Sequence, residues 1–317
     1  MRRNRDMLLG IGNGAMAGAL WGFVFLAPQL LSGFSSAQLS VARYLVYGLI
    51  SLLLLAPRWN SLPRLDRRDV RALVGLSLLG NIIYYLLLGR AVQLAGGAAA
   101  SLIVGLVPVA VTVVALRQGS SVRVSRLALP MLFCCAGVAL IAYEALRSET
   151  SPVAPAWRLL GIACAFGALL SWSAYAVYNT RYLLQLKHVT SNDWSLLTGV
   201  VTGALALLLG AVVLALPDTA HHGHEWLRFW AISTGVALFA SVIGNRFWNQ
   251  ASRLLPLTLM GQMIVFETLF ALLYSFVWEQ RLPTPIEMLA IACLLVGIVW
   301  CASAHRAPQA AASQNPS

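Results

Sequence analysis

Residues 36–71 read SAQLSVARYLVYGLISLLLLAPRWNSLPRLDRRDVR: about twenty apolar residues interrupted by Arg43, then a polar stretch with Arg58, Arg64, Arg67, Arg68 and Arg71. At 1.5 Å per residue, about twenty helical residues cross the hydrocarbon core of a bilayer. The arginines that follow are the mark of a loop held on one side of it. The pattern repeats along the chain, with apolar stretches at about 7–31, 36–56, 70–94, 97–116, 126–146, 157–180, 194–216, 227–251, 256–278 and 285–304. The reading is an all-α membrane protein of ten transmembrane helices.

Composition agrees, since 59% of the 317 residues are hydrophobic and only 10% are charged, which leaves little chain for a soluble domain. The net charge of +11 is scattered over short loops and forms no stripe that could follow a phosphate backbone, so nucleic acid is excluded as a partner. Cys134, Cys135, Cys164, Cys293 and Cys301 fall inside apolar stretches, where cysteine packs as a small hydrophobic residue. Arg2, Arg3 and Arg5 precede an apolar run too long for a signal peptide, so that run is read as a retained first span. Trp157, Trp194, Trp226 and Trp278 at span ends fit an interfacial belt.

Sorting the basic residues by side gives an orientation. The amino terminus, alternate loops and the tail carry Arg2, Arg3, Arg5, Arg58, Arg64, Arg67, Arg68, Arg71, Arg117, Arg123, Arg126, Arg181, Lys187, Arg253 and Arg306. The other loops carry Arg147, Arg158, Arg228 and Arg281. Both termini are therefore expected in the cytoplasm.

A shift of about 160 positions brings Ala91 onto Ala251, Leu94 onto Leu254, Pro108 onto Thr268, Gly137 onto Gly297 and Ala142 onto Ala302, while Trp21 and Trp172 mark the start of each half. The implied units are residues 1–150 and residues 151–317, the latter with a short cytoplasmic tail. Five spans is an odd number, so the second unit enters the membrane from the opposite side. Two inverted five-helix repeats around a central cavity are the architecture of a carrier that exposes its site to one side at a time.

Several motifs resemble the drug/metabolite transporter superfamily, specifically its EamA-type ten-span members. They are Trp21-Gly22, Arg43-Tyr44, the run AVQLAGGAAASLIVGLVP from Ala91 to Pro108, Phe266-Glu267, and Glu279 after the ninth span. The run GQMIVFETLFALLY from Gly261 to Tyr274 is most similar to YddG-type aromatic amino-acid exporters. Thr268 stands where many relatives have proline, so the ninth helix is expected without their kink. The resemblance implies a bacterial inner-membrane location, a central cavity, and export of small metabolites, with aromatic amino acids as the implied substrates.

The candidate site is drawn from the span interiors. Asn81, Tyr84 and Tyr85 share one helix face, and Asn245, Trp248 and Asn249 repeat their spacing in the second half. Aromatic substrates would stack on the rings while the amides hold their polar groups; the alternative is a packing seam joined by interhelical hydrogen bonds. Trp21, Trp172, Tyr175, Tyr178 and Gln262 complete the candidate walls. Gly10, Gly14, Gly18 and Gly22 form a stripe read as helix packing. Glu267 is the one acidic residue near a span centre, a candidate for proton coupling or for an internal pair, and Arg43 is a candidate for gating or for holding a substrate carboxylate. His221, His222 and His224 lack helical ligand spacing and are read as a solvated loop, with no metal and no cofactor.

The leading function is a secondary transporter exporting aromatic or apolar amino acids and related amphiphiles by alternating access. Other metabolites, cationic drugs and a passive channel are the alternatives. An intramembrane enzyme is disfavoured because every aspartate lies outside or at the edge of a span, no histidine lies mid-span, and neither HExxH nor GxSxG occurs. Apart from substrate and lipid no partner is implied, and a monomer is expected with an oligomer left open.

Overall fold

The computed structural model describes residues 2–62, 65–110, 125–147, 153–185, 189–215, 222–254 and 257–304, and among these every regular element is helical. The helices are α1 (Arg2–Leu30), α2 (Ser36–Leu55), α3 (Arg67–Ser77), α4 (Ile83–Ala95), α5 (Gly97–Val104), α6 (Ser125–Arg147), α7 (Pro155–Gln185), α8 (Ser191–Leu214), α9 (Gly223–Val236), α10 (Asn245–Leu254), α11 (Leu257–Trp278) and α12 (Pro285–Ala304). Two π segments, Leu78–Ile82 and Ala237–Gly244, join α3 to α4 and α9 to α10 into continuous rods. Among the described residues, seven helical stretches are long and apolar enough to cross a membrane, and Gly97–Ala110, Met263–Trp278 and Pro285–Gly297 are shorter apolar helices.

Polar caps set several starts. Ser35 and Gln38 exchange hydrogen bonds at the head of α2, Asp66 and Asp69 do so at α3, and the Thr190 hydroxyl accepts from the Asp193 N–H at α8. The break between α4 and α5 is made by Gly96, whose φ of 89° and ψ of 158° belong to a region almost reserved for glycine.

Helix approach is governed by small residues. At the α2–α8 crossing Gly48 faces Gly203, and a Cβ added to Gly48 would lie 2.6 Å from the Gly203 Cα. The glycine stripe of α1 packs on α11, where a Cβ on Gly18 would lie 2.8 Å from the Glu267 backbone nitrogen. Besides these, α6 packs on α12, α4 on α7, α1 on α10, and α5 on both α7 and α11. Leucines such as Leu132, Leu207, Leu208 and Leu214 point outward, as the surface of a bundle immersed in lipid requires.

The end tryptophans divide. Trp157, Trp226 and Trp278 are exposed, but Trp194 is buried, stacked on Tyr182 at 5.1 Å and donating to the Asn179 carboxamide at 3.1 Å. That position reads as a belt residue in sequence because its burial depends on the neighbouring end of α7. Cys134, Cys135, Cys164 and Cys293 are free thiols.

Candidate functional site

The π segments shape the middle of the bundle. Widening a helix to i→i+5 bonds shifts its carbonyls out of the regular ladder, so some need a partner from elsewhere. Ser171 of α7 donates to the Leu79 carbonyl at 2.7 Å, and Trp21 of α1 donates to the Ala240 carbonyl at 3.0 Å. In each case the partner comes from the first long helix of the other half of the chain. A ring also fills the space beside the glycine of each segment: Tyr175 lies against Gly80, and Trp21 against Gly244.

Polar contacts from α2 and α8 reach the same segments. The Asn81 amide donates to the Thr202 hydroxyl at 3.1 Å, and Arg43 donates to Ser241 through Nε at 3.3 Å and Nη2 at 3.2 Å. Ser77, just before the first segment, donates to the Thr198 carbonyl at 3.3 Å.

A cavity of ≈ 10 Å³ is lined by Phe25 of α1, Tyr84 of α4, Val104, Gly105 and Val107 around the end of α5, Trp172 of α7, and Ile264, Glu267 and Thr268 of α11. That is room for about one water molecule, whereas small-molecule sites run to about 300–1,000 Å³. Its walls are aromatic and aliphatic, and Glu267 is the one charged side chain among them. Thr268 sits against Gly105, where α5 breaks into a turn ahead of Pro108, while α11 runs through Thr268 without interruption. A threonine in place of a proline keeps its N–H in the helix ladder.

The expected site residues separate into groups. Tyr84, Trp172 and Glu267 meet at the cavity. Tyr85 and Tyr44 cradle Arg43, with the guanidinium carbon 4.4 Å and 5.1 Å from the two ring centres. Trp21 packs on Trp248 with ring centres 5.0 Å apart. Tyr175 approaches Trp172 at 6.1 Å, but Tyr178 is 58% exposed and turned away from the lining. Asn81 is engaged between helices and Asn245 approaches Tyr47, whose hydroxyl also donates to the Ser195 carbonyl at 3.2 Å. The side chains of Asn249 and Gln262, and residue His221, lie outside the described residues. His222 stands at the head of α9, its backbone N–H bonded to Glu225. Phe25 and Ile264 were not singled out in the sequence, and Thr268 was noted only for the kink it removes, because an isolated apolar or hydroxyl residue in a span carries no local signal of facing inward.

Two further clusters sit near helix ends, and none of their residues lines the cavity. At one end Phe34, between α1 and α2, stacks on Phe229 at 4.4 Å and meets Trp226 edge-on at 5.2 Å. At the other, Tyr182 of α7 donates to the Asp69 carboxylate of α3 at 2.5 Å, beside the Trp194 stack, and Arg58 pairs with Asp193 at 3.2 Å. Burial, followed by the bond to Asp69, pushes the Tyr182 phenol up to about 12.

This bundle is matched twice by the sequence profile of the EamA-like transporter family, over residues 8–143 and again over residues 159–303. The chain belongs to the EamA-like transporter family. It is a multi-pass membrane transporter rather than an enzyme. It is 31% identical over 305 residues to "Inner membrane protein YtfF" of Escherichia coli (strain K12), a similarity covering 92% of this chain and 94% of that one. A solved crystal structure shares the fold with a TM-score of 0.62 at 19% identity, covering 95% of this chain and 98% of the other.

Proposed function

We propose that the protein is a secondary exporter of aromatic or apolar amino acids and related small amphiphiles, crossing the bacterial inner membrane ten times as two inverted five-helix repeats with both termini in the cytoplasm. The carrying observation is the small cavity with Phe25, Tyr84, Trp172 and a single carboxylate in its walls, lined by helices from both halves of the chain. A channel needs a continuous polar path, and a cavity with room for about one water and mostly apolar walls offers none.

The repeat is supported by three features. The family profile matches once per half. The π segments fall at corresponding places, with Gly80-Asn81 in one and Gly244-Asn245 at the end of the other. The packing pairs map onto one another when the halves are exchanged: α4 with α7 becomes α10 with α1, α5 with α7 becomes α11 with α1, and the α2–α8 and α6–α12 pairs map onto themselves. The orientation rests on the arginine bias alone.

An aromatic ring stacked on Tyr84 and Trp172 would gain about 0.5–1.5 kcal/mol per contact, which suits a ligand that must be released. Proteoliposomes loaded with unlabelled phenylalanine should take up labelled phenylalanine or tryptophan saturably and by exchange. A reconstituted, folded protein that moves neither, while moving another metabolite class, overturns the substrate assignment.

A further inference from the structure

Arg43 is 7% exposed and lies in the interior of α2, yet its bonding is incomplete. Nε and Nη2 share one hydroxyl, that of Ser241, and the guanidinium carbon lies over the rings of Tyr85 and Tyr44, which meet each other edge-on. Nη1 is buried with no hydrogen-bond partner. Tyr85 approaches with its hydroxyl as well as its ring, but gives Nη1 no acceptor in bonding geometry. No carboxylate of the described residues lies within the 4.0 Å of an ion pair. Glu267 and Tyr84 of the cavity stand within electrostatic range of Arg43 without touching it.

A buried cation without a contact anion is costly, and more so inside a membrane. Aromatic faces and one hydroxyl offset part of that cost and fix the group in place. They leave one edge of a planar donor fork empty, and such a fork matches a carboxylate. If Arg43 served only to tie α2 to the second π segment, the contacts to Ser241 would suffice and the remaining edge would be turned to an acceptor.

We propose that the Nη1 edge of Arg43 is the binding group for an anionic headgroup, a carboxylate, on the transported molecule. The inference rests on the proposed aromatic cavity and adds its selectivity: the carboxylate is required and the ammonium is not. When the cavity widens around a ligand, the carboxylate completes the Arg43 fork and the apolar body lies against Tyr84 and Trp172. Cationic amphiphiles without an acid group are excluded, because they would bring a second positive charge beside Arg43.

The test is a ligand series on the purified, full-length protein: phenylalanine, phenylpropionate, phenylethylamine and phenylalaninamide, measured by calorimetry and by competition for labelled phenylalanine. Phenylalanine and phenylpropionate should bind, and the two ligands lacking a carboxylate should bind at least about tenfold more weakly, as expected for losing a charge-assisted hydrogen bond. Arg43→Gln should remove the preference for acids, and Arg43→Lys should keep it in part. The wild-type series decides the matter even if the glutamine variant does not fold. Equal binding of acid and amine, binding of the amines alone, or no binding of either acid overturns the role of Arg43. Binding of phenylpropionate without any flux of phenylalanine leaves Arg43 in place and removes the amino-acid export reading instead.

Discussion

At the scale of single residues, position matters more than residue type. Glu267 could be singled out in the sequence because an acid in the middle of an apolar span is rare, and it does reach the cavity. If it carries the coupling proton, Glu267→Gln should abolish pH-gradient-driven accumulation in proteoliposomes while leaving exchange at equal pH intact. Accumulation that still follows the pH gradient in that variant removes Glu267 from the role. Asn81 has equally visible chemistry, but its hydrogen bond goes to Thr202 on a helix about 120 positions away, which no local pattern records. Gly96 offers a cleaner test of backbone demands. Nothing lies within 4 Å of an added Cβ there, so Gly96→Ala should cost about 1–3 kcal/mol through the backbone alone, read as a lower unfolding midpoint in detergent. Gly48→Leu, by contrast, drives a side chain into the Gly203 backbone and should separate α2 from α8, lowering the yield of folded protein.

At the scale of elements, the π segments are what the sequence did not disclose. Both arise within ordinary-looking apolar runs, and each is held by a donor supplied from the opposite half, Ser171 for Leu79 and Trp21 for Ala240. Periodicity reports a helix in those stretches, but the change of ladder depends on partners distant in sequence. The clusters near the helix ends are likewise tertiary features. One brings three aromatic rings together, and the other joins a phenol to a carboxylate. Because the phenol of Tyr182 is raised to about 12, its neutral, donating form is favoured in the folded protein. The stability this contributes is complete below the ordinary tyrosine value near 10 and is lost as pH climbs through about 12. Tyr182→Phe should therefore destabilise the protein by about 1–2 kcal/mol at neutral pH and flatten the decline between about pH 10 and 12, seen as unfolding midpoints across that window. A decline of unchanged shape in the variant would show that another group governs it.

At the scale of the whole molecule, class and helix positions were legible because a bilayer imposes length and apolarity on every crossing. The arginine distribution suggested an orientation, and the shift of Gly137 onto Gly297 suggested a repeat; in the fold each of those glycines packs on the helix that carries the other. Which rings face inward was not legible, since Tyr84 and Tyr178 sit in similar sequence surroundings but line the cavity and face outward, respectively. The central claim is that two mirrored halves open one end of the shared cavity only while the other is shut. Spin-label distances measured in one cysteine-replaced background test it directly, with one pair at Ser32 and His224 beside the aromatic cluster and another at Val70 and Asn192 beside the Tyr182–Asp69 contact. On adding substrate, the expected result is opposite movement, one pair lengthening as the other shortens or stays short. A population in which both pairs are long at once would contradict it.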